Sequence, residues 1–170
     1  MTFYNPRPMT IGRVPSGRAG IKATLQAMSR LTRAFKKDPG VRELASRLVR
    51  DLPQYDGAGE IRALHAFVRD SIRYTGDIAG VETLQTPKVT LQTGVGDCDD
   101  KSTLLASLLE SIGRKTRFVA VGFTPTGGHS HVLVEVRAGK SGNWWPLETI
   151  KPVEAGWQPA GIKRRMVAHN

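Results

Sequence analysis

The chain's single cysteine, Cys98, stands in the run LQTGVGDCDDKSTLLASLL (residues 91–109), between a glycine-rich approach and a leucine-rich stretch. One cysteine cannot make an internal disulfide, which fits a reducing compartment and excludes a disulfide scaffold or a Cys-rich zinc site. Its neighbours suggest four chemistries: a phosphate cradle, a calcium loop, a zinc site or a thiol nucleophile. A Walker loop needs Gly-x-x-x-x-Gly-Lys-Ser/Thr, and Lys101-Ser102 would end it. The two glycine positions hold Val95 and Asp100, however, and Asp97, Asp99 and Asp100 would repel phosphate. An EF-hand loop from Asp97 would carry Lys101 in its fifth place, Ser102 in its sixth and Leu108 in its twelfth, which leaves calcium too few oxygens. Zinc could draw on Cys98, His129 and His131, but no fourth ligand stands at a recognisable spacing. No metal and no cofactor is therefore expected.

The thiol is better served. Leu104, Leu105, Leu108, Leu109 and Ile112 predict a buried helix from Asp99 to Gly113, so Cys98 falls in its first turn. There, unpaired amides and the positive end of the helix dipole favour a thiolate. The aspartates work against it, since negative charge raises a thiol pKa, so a cationic partner is needed. His131 can be that partner and the base. Glu148 lies near the end of the strand expected to pair with that of His131, where a carboxylate can fix the imidazole's tautomer. The amide of Cys98 and the side chain of Gln92, six residues earlier, are candidate oxyanion donors. Trp144 and Trp145 are adjacent strand residues, so one faces the core and the other is available to a substrate groove.

These residues need elements to position them. Residues 1–19 read as an extended basic arm. Ile21, Leu25, Met28, Leu31 and Phe35, then Val41, Leu44, Leu48, Val49 and Leu52, predict a helical hairpin over 20–55, broken by Asp38-Pro39-Gly40. A core over 56–150 opens with a helix marked by Ile61, Leu64, Val68 and Ile72, ending near Tyr74. Residues 75–97 show no sustained period. After the Cys98 helix, Arg117–Phe123, His131–Arg137 and Asn143–Thr149 read as strands, the last two a hairpin. Residues 151–170 are expected as a basic tail. The predicted class is α+β: a buried helix bearing Cys98 packed on a small antiparallel sheet, with a basic helical N-terminal extension.

The net charge of +10 belongs to the ends. Residues 1–50 hold eleven Lys or Arg against Asp38 and Glu43, whereas the middle of the chain is close to neutral. Such arms suit an anionic neighbour, nucleic acid or an acidic protein surface, or serve as solvated extensions. No run of about 18 apolar residues is present, and the first residues lack a continuous apolar stretch, so neither a membrane span nor a secretory signal is expected.

Three runs together carry a resemblance. Gly96-Asp97-Cys98-Asp99-Asp100-Lys101, then His131-Val132-Leu133-Val134-Glu135-Val136, then Trp145-Pro146-Leu147-Glu148 resemble, in order, the core motifs of the transglutaminase-like cysteine superfamily. Ile72-Arg73-Tyr74 and Gln85-Thr86-Pro87 resemble its lead-in. The resemblance implies a papain-like core and amide chemistry through a thioester, with Cys98 as nucleophile, His131 as general base and acid, and Glu148 as orienting group. The family more often has Asp in the last place; Glu is one methylene longer and sets the strand slightly further back. The small size, the basic helical N-terminus and the stretch from Arg73 to Leu109 also resemble transglutaminase-like proteins of tailed bacteriophages. That implies a protein or peptide substrate, phage structural proteins as partners and nonspecific contact of the basic arms with DNA. It also implies residence in the bacterial host cytoplasm during assembly and in the virion. Two functions follow as expectations: a thiol enzyme acting on amide or peptide bonds, or a catalytically silent structural protein of the phage particle.

Overall fold

The computed structural model describes residues 9–10, 17–76, 83–139 and 142–170. Five helices and eight strands follow in chain order: β1 (Met9–Thr10), α1 (Arg18–Phe35), α2 (Pro39–Val49), α3 (Gly57–Ser71), β2 (Arg73–Tyr74), β3 (Thr83–Leu84), α4 (Pro87–Thr93), β4 (Val95–Gly96), α5 (Cys98–Ser111), β5 (Thr116–Gly122), β6 (His131–Ala138), β7 (Asn143–Leu147) and β8 (Arg164–His169). The class is α+β, as the patterning predicts. Most of residues 1–19, expected as an arm, lies outside the described residues.

Helix α5 is the centre of the molecule. Every residue from Asp100 to Leu109 is buried, because α1, α2, α3 and α4 surround it and the sheet closes its remaining side. The polar residues of that run, Asp100, Lys101, Ser102, Thr103 and Ser107, each hydrogen-bond a backbone group, which lets them stay buried. Leu25, Ala27, Met28 and Leu31 of α1 and Val41 and Ala45 of α2 enter the same core as Leu104, Leu105, Leu108 and Leu109. At about 1.5–3 kcal/mol for each large side chain removed from water, α1 alone contributes several kcal/mol.

The main sheet has the order β7-β6-β5-β8, antiparallel throughout. Val132, Val134 and Val136 of β6 and Phe118 and Ala120 of β5 face the helices. Val119, Val121 and Leu133 form a small cluster of their own, joined by Ile162. The β6–β7 turn uses Gly139 and Gly142, both with positive φ, and Lys140 and Ser141 within it lie outside the described residues.

Two stretches depart from the sequence reading. Residues 75–97 contain regular structure: Thr86 caps α4 through its side chain, Pro87 opens it, and Gly94 closes it at φ 67°. Strand β4 then pairs in parallel with β2, so α3 stops at Ser71 and the chain turns extended. One short helix and two-residue strands leave no periodicity to see. The second departure is β8, in the expected C-terminal tail. It pairs with β5 from Arg117↔His169 to Gly122↔Arg164. Its only apolar anchors on the core are Met166 and Ala168, too few to distinguish the segment from a basic tail.

Candidate active site

The approach to Cys98 is built by the aspartates around it. Asp97 caps α5, accepting from the amides of Asp99 and Asp100, each at 2.9 Å. Asp100 reciprocates, accepting from the Asp97 amide at 3.3 Å, and also holds the Gln85 amide at 2.7 Å. This is a capping box extended to a second segment. Gly96 lets it close, because a Cβ there would meet Asp100 Cβ at 2.8 Å. Two of the three aspartates thus fix the helix mouth. Asp99 instead accepts from the thiol, Cys98 Sγ to Oδ1 at 3.4 Å.

The electrostatics of the thiol follow from that geometry. Burial pushes the Cys98 pKa up, Asp99 and Asp97 push it further, and a hydrogen bond from the Val132 backbone acts in the opposite sense. The resting sulfur is therefore protonated at neutral pH and lies against β6, one residue from His131.

His131 begins β6, and its Nε2 donates to Glu148 Oε2 at 2.6 Å. The second oxygen, Oε1, accepts from the Ile150 amide at 2.8 Å. The Glu148 side chain is 1 % exposed. Burial alone would raise its pKa, but the His131 bond and the backbone amides of Ile150 and Lys151 outweigh it and hold the carboxyl below its ordinary range. An ionised Glu148 on Nε2 leaves Nδ1 to take a proton. Cys98, His131 and Asp99 line one cleft of about 220 Å³, together with Ile21, Leu25 and His129.

Two more buried residues stand near the site, and sequence reading assigns neither of them a role there. His65 on α3 is 1 % exposed and its Nε2 donates to the backbone carbonyl of Glu148 at 2.5 Å. Burial lowers its pKa, so it is neutral. It stands four residues after Ile61, on the apolar face of its helix, and that placement was the available signal. Lys101, one turn after Cys98, is 1 % exposed and its Nζ donates to the carbonyls of Ile72, at 2.5 Å, and Arg69, at 3.2 Å. It caps the C-terminal end of α3, where the helix dipole favours a cation.

The remaining sequence candidates lie elsewhere. Gln92 is exposed on α4 and does not line the cleft. Trp144 carries the Arg117 guanidinium at 4.1 Å from its ring centroid and meets His169 edge-on at 5.9 Å. Trp145 packs on the core with Arg62 at 5.7 Å from its ring centroid. Neither indole reaches the cleft. His129 does line it, but among the described residues no group of three or more His, Cys, Asp or Glu side chains is arranged to hold a metal.

The sequence model of the transglutaminase-like superfamily matches residues 42–149. No curated protein matches the chain. A candidate protease of Parabacteroides distasonis has a similar structure, with a TM-score of 0.62 at 12 % identity over 93 % of this chain and 33 % of its own. A candidate cysteine protease of Cytophaga hutchinsonii gives a TM-score of 0.56 at 15 % identity over 80 % of this chain and 48 % of its own. The chain thus spans between a third and a half of these structures, and at such identity the likeness is one of fold.

Proposed function

The chain belongs to the transglutaminase-like superfamily, and on that premise we propose that it is a thiol enzyme acting on amide or peptide bonds through Cys98, His131 and Glu148. The observation that carries this reading is the 2.6 Å bond from His131 to a buried, ionised Glu148 beside the cleft that also holds Cys98. In the first step the Cys98 thiol gives its proton to His131 Nδ1 while the sulfur attacks the carbonyl carbon. The tetrahedral intermediate then collapses, the C–N bond breaks, and the amine leaves with the proton from His131. A thioester remains on Cys98. Water, deprotonated by His131, attacks it; the acid departs and Cys98 regains its proton. Water rather than an amine is favoured as acceptor because both structural neighbours are described as candidate proteases.

The raised thiol pKa makes proton removal by His131 part of the chemical step, with no resident thiolate to bypass it. Second-order alkylation by iodoacetamide at pH 7 tests this. His131→Ala should react slower than the wild type by about 10²-fold or more. Equal rates in the two proteins would remove the reading.

A second reading has its own support. Arg18, Lys22, Arg30 and Arg33 are exposed along α1, which has no acidic residue and runs about 27 Å. That stripe suits docking on an acidic phage subunit or on packaged DNA, as a virion protein assembled in the host cytoplasm would need. The enzyme and the virion component can be one protein. Copy number in purified particles decides the structural role, and absence from them excludes it; DNA contact would show as affinity that falls steeply with salt.

A further inference from the structure

His129 lines the cleft beside Cys98 and His131 but has no part in the chemistry proposed above. Its Nε2 is shielded from solvent and has no hydrogen-bond partner among the described residues. Leaving such an atom unpaired costs about 1–3 kcal/mol, so the position calls for a ligand. Its surroundings are cationic. Arg164 donates to the Gly127 carbonyl, which holds that guanidinium against the loop bearing His129. That loop folds back tightly: a Cβ on Gly122 would meet the Gly128 carbonyl oxygen at 2.6 Å. Arg18 opens α1, and Lys22 follows one turn later. Burial first, then Arg164 and Arg18, lower the His129 pKa, so both guanidinia act on the imidazole. Arg18 and Lys22 line a second cavity, of about 410 Å³, that shares Leu25 with the first. The acids of the first cleft, Asp97 and Asp99, both belong to the mouth of α5. Asp97 and Asp99 therefore stand at the thiol end of the cleft, and Arg18 and Arg164 lie beyond its lining on the side of His129.

We propose that the His129 end of the cleft is a carboxylate subsite, in which His129 receives an acidic residue of the peptide substrate with the charges of Arg18 and Arg164 behind it. The inference rests on the thiol-enzyme reading for its substrate and adds the class: peptides carrying a carboxylate close to the bond attacked. A carboxylate gives His129 Nε2 an acceptor in the field of two guanidinia, whereas the isosteric amide gains only neutral hydrogen bonds.

The test uses two electrophiles that differ in that group alone, the N-chloroacetyl α-amides of glutamate and of glutamine. In each, the Cys98 sulfur displaces chloride and the thiol proton passes to His131. The ratio of inactivation rates, glutamate probe over glutamine probe, should be about ten or more at low salt. It should fall toward one in Arg18→Ala and in His129→Gln, and with rising salt in the wild type. Arg18→Glu, at the exposed start of its helix, should bring it below one. A wild-type ratio at or below one overturns the subsite. So does a ratio unchanged in Arg18→Ala and His129→Gln. Protection of Cys98 by a single-stranded oligonucleotide, with a wild-type ratio of one, would assign the cations to nucleic acid instead. The ratio decides the subsite whatever the absolute rates; those rates, and their dependence on His131, report separately on the thiol chemistry.

Discussion

Asp99 stabilises the protonated form of the Cys98 thiol, whereas His131, in the proposed mechanism, removes the proton. Asp99→Asn deletes a negative charge and a sulfur contact, so the thiol pKa should fall and alkylation at pH 7 should quicken by up to about tenfold. A pH profile of alkylation displaced to lower pH is the expected result; an unmoved profile would mean that burial alone keeps the thiol protonated. Glu148 makes a second prediction. Its folded pKa lies below the ordinary carboxyl range, so the stabilisation it brings is complete above the unfolded value of about 4.3 and is lost as pH falls through the folded one. Glu148→Gln should therefore be less stable than the wild type at neutral pH, with the gap closing in acid, as urea unfolding at several pH values would show. The same variant should lower kcat by about 10²–10⁴-fold. That Cys98, His131 and Glu148 come together was legible from type and order; their roles are the proposal. His65 was not legible, because a histidine on an apolar helix face resembles any other core position until its carbonyl partner is known. Gln92 shows the opposite error: spacing from Cys98 suggested proximity, but α4 carries its side chain outward.

At the scale of elements, the site depends on how α3, α5 and the end of β7 are joined. Lys101 ties the first turns of α5 to the C-terminal end of α3, and His65 of α3 ties it to the backbone of Glu148. The proposed nucleophile and its proposed orienting carboxylate are thus linked through one helix. Lys101→Ala should lower stability by about 2–4 kcal/mol, since it leaves two carbonyls without their buried donor and opens a cavity. Denaturant unfolding measures that loss, and a change below about 0.5 kcal/mol would show that water replaces the ammonium without strain. The long helices were readable because their apolar residues recur at three and four positions. Residues 75–97 were not, since α4 has seven residues and β4 two, and what defines them is Thr86, Pro87 and Gly94 acting as caps. Those signals are visible afterwards; beforehand they resemble the punctuation of a loop.

For the whole molecule, α1 adds to the core and β8 to the sheet. Helix α1 supplies Ile21, Thr24 and Leu25 to the cleft as well as its share of the core. Strand β8 covers the edge of β5 and places Arg164 and Arg165, the latter donating to the buried Glu135 at 2.5 Å, with Arg117 on the other carboxylate oxygen. A chain truncated after Lys163 should expose the β5 edge and strand Glu135 with one cation, lowering the melting temperature by about 10 °C or more. A melt within a few degrees of the full chain would reduce β8 to an appendage. At the C-terminal end the basic composition suggested a tail, and charge conceals Met166 and Ala168, by which β8 is anchored; α1 was legible from its apolar residues.

The central claim is that Cys98 forms a covalent acyl intermediate with the help of His131. Intact-mass measurement after rapid mixing with an activated acyl donor, such as a peptide p-nitrophenyl ester, tests it most directly. The wild type should gain the acyl mass on Cys98, Cys98→Ala should gain none, and His131→Ala should gain it about 10²-fold or more slowly. Acyl mass that accumulates equally fast without His131, or never appears on Cys98 in the wild type, would contradict the account.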